Sequence, residues 1–109
     1  MVTTAVDRRR GEVWWLEPPD EPRRPFVILT RSTVIPHLNH VLAAPLTRTV
    51  RGIPTEVALD QDDGVPAECV VQLDNLTRIP PAFLSERITT LSPTRMLQIC
   101  RAARIAIDC

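Results

Sequence analysis

Eleven prolines and only three glycines punctuate this chain of 109 residues. Turns must therefore come from proline, whose fixed φ and missing N–H interrupt ladders, and from polar clusters. "PPDEPRRP", residues 18–25, excludes regular structure and reads as a loop. The apolar segments between such breaks are short, which suits strands. "GEVWWLE" predicts a first strand over 11–16, and "FVILT" (26–30) a buried second one. "STVIPHLN" is a connector with room for one helical turn, and "HVLAAPLT" a third strand ending at Thr47. "PTEVAL" (54–59) alternates with Val57 and Leu59 on one face, and "DQDDGVPAE" is a further loop. "CVVQLDNLTRI" (69–79) reads as one strand that changes character at Asp74-Asn75, and "ERITTLS" (86–92) as the last strand.

Ser92-Pro93 has the form of an N-cap followed by a first helical residue, so a helix is predicted over 93–107. Met96, Cys100, Ala103 and Ile107 share its apolar stripe, while Arg95, Arg101 and Arg104 fall off it and are expected in solvent. Five or six short strands with one closing helix predict a mainly β, single-domain fold over 1–109, a small barrel or half-barrel capped by a C-terminal α-helix.

Several function classes are closed by composition. A hydrophobic share of 44% suits a globular chain, and no apolar run approaches membrane-spanning length. The N-terminal "MVTTAVDRRRGE" sets its arginines after a weak apolar segment, the reverse of a secretory signal, so a cytoplasmic protein without membrane contact is expected. Cys69, Cys100 and Cys109 are too few and too widely spaced for a disulfide framework or a zinc site, and reduced packing thiols are expected. His37 and His40 lack an acidic or thiol neighbour in sequence, so no metal is expected, and no other cofactor. Nothing resembles a βαβ alternation, a phosphate-binding glycine loop or a nucleophile elbow. Net charge is zero but uneven, +3 over residues 1–55 and −3 over 56–109, and all thirteen cations are arginine. Every cation is thus a planar fork suited to phosphate.

Three polar clusters sit at strand edges: "PRRP" before the second strand, "LTRT" after the third, and "LDN" within 69–79. A core strand such as "VLAAPLTRTVRG" ends in hydroxyls and guanidiniums either because it stops in a polar turn or because it holds them at the rim of an anion-binding cleft. In a small barrel, strand ends from different segments meet at one rim, where the three clusters would converge.

The blocks "RGEVWW", "RRPFVILT", "VLAAPLTRTVRGIPTEVAL", "CVVQLDNLTRI" and "ERITTLSPTRM", in this order, resemble the MazF/PemK family of toxin endoribonucleases. The resemblance covers nearly the whole chain from Arg10. It implies an SH3-like barrel, a homodimer, a MazE-like antitoxin as partner and single-stranded RNA as substrate. It also implies a catalytic arginine at Arg24 and a catalytic threonine at Thr47, with Asp74 and Asn75 seating RNA. Arg23 and Thr49, beside the catalytic pair, are expected to bind RNA as well. The chain departs from the family in carrying "EPPDEP" before the Arg-Pro pair, where relatives often have glycines in a loop that gates the groove.

The chemistry those residues suit is attack of a substrate's own 2′-hydroxyl on the adjacent phosphorus, giving a 2′,3′-cyclic phosphate and a 5′-hydroxyl without metal or water. Arg24 offers two donors to the phosphorane oxygens, and Thr47 one hydroxyl. The resemblance implies that Arg24 acts as acid, base or both; the chemistry of arginine favours its donor role. Asp74 and Asn75 suit base edges, or simply a turn. Trp14 and Trp15 face opposite sides of a regular strand; one is expected in the core, the other at a base, an antitoxin side chain or, as favoured here, the dimer interface. A CcdB-like toxin that poisons a topoisomerase is the alternative, and the presence of both Arg24 and Thr47 favours the nuclease.

Overall fold

The computed structural model describes residues 8–108. Cys109 and the first part of the N-terminal segment lie outside the described residues. Seven strands form one antiparallel sheet: β1 (Glu12–Leu16), β2 (Arg24–Ile28), β3 (Val41–Thr47), β4 (Glu56–Leu59), β5 (Cys69–Gln72), β6 (Thr77–Ile79) and β7 (Leu84–Thr90). The helix α1 covers Pro93–Ile107. Sheet order is β4-β5-β3-β2-β1-β7, and β6 also pairs with β3. The expected barrel with a C-terminal helix is what forms. Its end strands are linked through a loop: the Thr89 hydroxyl on β7 donates to the backbone carbonyl of Asp63, just past β4, at 3.0 Å. Gly64 follows there with φ +92°, and a Cβ would run into Thr89, so glycine is required.

The central strands are buried on both faces, which explains their continuous apolar sequence. Val13, Val27, Ala44, Leu46 and Val71 pack with Ile99 and Ala102 of α1 on one face. Leu16, Phe26, Ile28 and Ala43 pack on the other, covered by Ile35 from a 3-10 segment at Ser32–His37. Buried Glu12 does not stand alone among them. Its carboxylate accepts from the Arg9 N–H, the Trp14 indole N–H and Arg87, at 2.8, 3.0 and 3.2 Å.

Residues 69–79 are not one strand. β5 and β6 both run along the same edge of β3, pairing Thr47 with Val70 and Ala43 with Thr77. The register slips by three residues between them, which the 3-10 turn Leu73–Asn75 takes up. The sequence correctly marked the change at Asp74-Asn75; extended backbone on either side hid the loop between.

α1 starts as predicted: the Ser92 hydroxyl accepts from the Arg95 N–H at 3.2 Å, with Pro93 next. Its inward stripe, however, is displaced one residue, to Arg95, Ile99, Ala102 and Ala106, of which Ile99 and Ala102 are buried, with Met96 and Ala103 flanking it and Ile107 exposed. Arg95 is therefore only partly exposed. Its Nε donates to Asp63 at 2.9 Å, tying the helix to the loop after β4. That hydrogen bond is the main reason the Asp63 carboxyl lies below its ordinary pKa, against an opposing push from burial. Because the folded value is the lower one, the pair stabilises above the unfolded carboxylate pKa and is lost as pH falls through the folded value. Asp63→Asn is expected to cost about 1 kcal/mol at neutral pH, a figure discounted for the water reaching both side chains. Urea unfolding from neutral pH down to about pH 3 should show that deficit shrinking on the acid side. A deficit unchanged with pH would show that charge is irrelevant to the contact.

Candidate active site

Arg24 opens β2 and Thr47 closes β3. Between them β2 and β3 pair Ile28 with Ala43, Val27 with Ala44 and Phe26 with Pro45. Carried two residues further, the register sets Arg24 across from Thr47, at the same end of the sheet. The apolar halves of the two strands fix this alignment, since a one-residue slip would turn Val27 and Ala44 out of the core.

Arg24 is exposed, and its guanidinium lies 5.4 Å from the ring centre of Phe26, its neighbour on the same strand face. Arg23 is stacked at 4.1 Å over Trp15 and reaches towards Glu86 at 3.9 Å. Thr47 is half-buried. The strand stops there, and the chain folds back so that the Thr49 N–H donates to Thr47 Oγ1 at 3.2 Å. This orients the hydroxyl and leaves its own proton to donate elsewhere. The bond is a polar turn, the first of the two readings of the Thr-Arg-Thr tip.

Thr47, Arg48 and Thr49 form the rim of a cavity of about 410 Å³. Its walls are Trp15, Pro25, Leu46, Val65, Cys69 and Ile88, drawn from five separate segments. The Cys69 thiol is pushed up from its ordinary pKa by burial first and by the Asp63 charge second, with Arg48 opposing. It is therefore a protonated, neutral wall. The sequence pointed to Trp15 only as one of several surfaces, and nothing in it signalled Val65, Cys69 or Ile88.

Asp74 and Asn75 do not join this rim. They sit on the turn that loops out beside the middle of β3, roughly three residues or about 10 Å along the strand from Thr47. Asp74 accepts from the Thr55 hydroxyl at 2.5 Å, and the Asn75 amide donates to Gln72 at 2.9 Å. Both border a small recess with Arg51 and Ile53. Of the three clusters, the register sets the ends of two opposite each other, and the third stands apart.

Trp14 and Trp15 face opposite sides as expected, yet neither is fully buried. Trp14 packs against the Phe26 side of the sheet under Arg8, 4.9 Å from its ring centre. In the loop ahead of Arg24, Asp20 takes φ +65°, so an aspartate fills the left-handed position that glycine usually holds. His40 borders a larger recess of about 920 Å³ with Arg10, Arg31 and Arg78. That recess lies at the opposite end of β3, around Val41 and Leu42, away from Arg24 and Thr47. Among the described residues, no three His, Cys, Asp or Glu side chains gather as metal ligands do, and no helix is long and apolar enough to cross a membrane.

Residues 9–107 match the family described as PemK-like, MazF-like toxins of type II toxin–antitoxin systems. The chain is 43% identical over 101 residues to the probable endoribonuclease MazF5 of Mycobacterium tuberculosis, covering 92% of this chain and 93% of the relative. Among solved structures, the M. tuberculosis toxin MazF-mt6 superposes with a TM-score of 0.81 at 36% identity, covering 89% of this chain and 96% of that one. A mycobacterial endoribonuclease in complex with its cognate antitoxin gives 0.84 at 27% identity, covering 93% and 95%.

Proposed function

We propose, since this chain belongs to the PemK-like, MazF-like toxin family of type II toxin–antitoxin systems, that it cuts single-stranded RNA at a phosphate held between Arg24 and Thr47. It is an endoribonuclease, as its relatives are named, and the topoisomerase-directed alternative is not favoured. The observation that supports the site assignment is the β2–β3 register, which, carried two residues beyond its last pair of Phe26 with Pro45, aligns the first residue of one strand with the last of the other.

The step is a transesterification. The 2′-hydroxyl oxygen bonds to phosphorus, the bond from phosphorus to the 5′-oxygen breaks, and one proton leaves the former as one reaches the latter. Negative charge builds on the non-bridging oxygens between these events. Arg24 lays two parallel N–H donors on them, and the Thr47 hydroxyl supplies a third, held in place by the Thr49 N–H. The products are a 2′,3′-cyclic phosphate and a 5′-hydroxyl. Arg23 and Thr49 flank the phosphate and steady the strand. Asp74 and Asn75, on their separate turn, contact a more distant part of the same RNA, where their carboxylate and amide suit base edges.

The protein acts as a homodimer in the cytoplasm, where its RNA is, and an antitoxin segment silences it. An extended, acidic peptide would compete for the same arginines by charge as well as shape. Incubation of the purified protein with a mixed RNA pool in EDTA is expected to yield new 5′-hydroxyl ends at a recurring sequence, from a species that sediments as a dimer at micromolar concentration. Cleavage that stops in EDTA would end the metal-free mechanism, and a monomer would end the dimer assignment.

A further inference from the structure

We infer that Glu86, on β7, holds Arg23 in the free protein in the place of an RNA phosphate, and so lowers affinity for RNA without touching the step that cuts it. This rests on the reading of Arg23 as an RNA-binding residue. Trp15 on β1 has Glu86 directly opposite it on β7 and Pro25 directly opposite it on β2, so the three share one face of the sheet. Arg23 reaches that face too. Its guanidinium lies 4.1 Å from the Trp15 ring centre and 3.9 Å from the Glu86 carboxylate. Arg24, the next residue, lies instead over Phe26 and makes no ion pair among the described residues.

Two adjacent arginines thus meet different surroundings: Arg24 is open to a phosphate, and Arg23 already faces a carboxylate. An ion pair this exposed contributes little alone, because water screens both groups and two long side chains must be held still. Stacking on Trp15 removes part of that second cost, since the ring already fixes the guanidinium plane. Glu17, the neighbouring carboxylate on β1, accepts from the Ser85 hydroxyl instead. A phosphate that arrives at Arg23 must replace the Glu86 contact, and RNA binding is weaker by that amount. Arg24 and Thr47 take no part in the pair, so the loss falls on binding and not on the rate of the bound complex. The rival role for Glu86 is that of a charge on an outer strand that keeps other chains from pairing with β7; such a charge has no need of Arg23.

Glu86→Gln, Arg23→Gln and the double variant form a cycle that tests this. Both side chains are exposed, so all three are expected to fold, with melting curves as the check. The binding probe is a pool of octaribonucleotides with 2′-fluoro substitution, which cannot be cut, read by fluorescence anisotropy. Glu86→Gln is expected to bind about two- to fivefold more tightly than the parent at low salt, with the gain shrinking as salt rises. Arg23→Gln should bind more weakly than the parent, and the double variant no more tightly than Arg23→Gln alone. In single-turnover cleavage of one short RNA at saturating protein, Glu86→Gln should cut at the parent's rate. Unchanged affinity in the folded Glu86→Gln protein overturns the inference. So does a gain of equal size in the Arg23→Gln background, which would make Glu86 a general repulsive charge. A changed saturated rate overturns it too, because Glu86 would then act on the chemistry. A parent that shows the coupling yet cuts nothing upholds the inference and overturns the nuclease reading alone, and a parent that binds no RNA overturns both.

Discussion

Arg24→Lys is expected to cut RNA at least about a hundredfold more slowly than the parent while melting at nearly the same temperature. Lysine keeps the positive charge, so attraction of the RNA survives. What it loses is the planar fork that sets two donors on two oxygens of one phosphorus. In the transition state those oxygens carry more charge than in the substrate, so the loss falls on the rate rather than on binding. The fold has little reason to notice. Arg24 is exposed, its backbone pairing opposite Leu16 is unaffected by the change, and its contact with Phe26 is one that a lysine can also make. The measurement is single-turnover cleavage of one short RNA beside a melting curve. Undiminished cleavage by the folded variant would remove Arg24 from the mechanism.

Thr47→Val should slow the same reaction by roughly ten- to a thousandfold, the range for losing one preorganised donor. Valine preserves size and β-branching, and the strand preference with them. Stability is expected to fall by about 1 kcal/mol, because the Thr47 hydroxyl also accepts the Thr49 N–H in the turn. Thr47→Ser retains both hydrogen bonds and should keep most of the activity. Thr49 contributes its backbone to that turn, so Thr49→Val should affect RNA binding more than rate. If Thr47→Val cuts as fast as the parent, the strand tip is a turn and nothing more.

Arg24 and Thr47 were legible in the sequence because each ends an apolar run that a core must claim. The Arg-Pro break and the change from "VLAAPL" to "TRT" mark strand ends without any knowledge of their partners. Asp74 and Asn75 were legible as a discontinuity but not as a place. Only the three-residue slip between β5 and β6 shows them standing apart from the rim. Arg95 misled for a related reason. Helical spacing gives a stripe on either side of Ile99, and burial of Ile99 and Ala102 turned the helix by one residue towards Asp63.

The sequence by itself determined the short strands, the proline-bounded loops, the capped helix from Ser92 and the identity of the polar strand ends. These depend on forces that act within a few residues: fixed φ at proline, alternation of side chains along a strand, and a hydroxyl reaching one turn ahead. Tertiary structure alone decided the register that sets Arg24 across from Thr47, the rotation of α1, and the cavity built from five segments. Those outcomes depend on which apolar faces meet across elements distant in sequence. A chain can specify its strands locally, but the space between their ends exists only once they are packed.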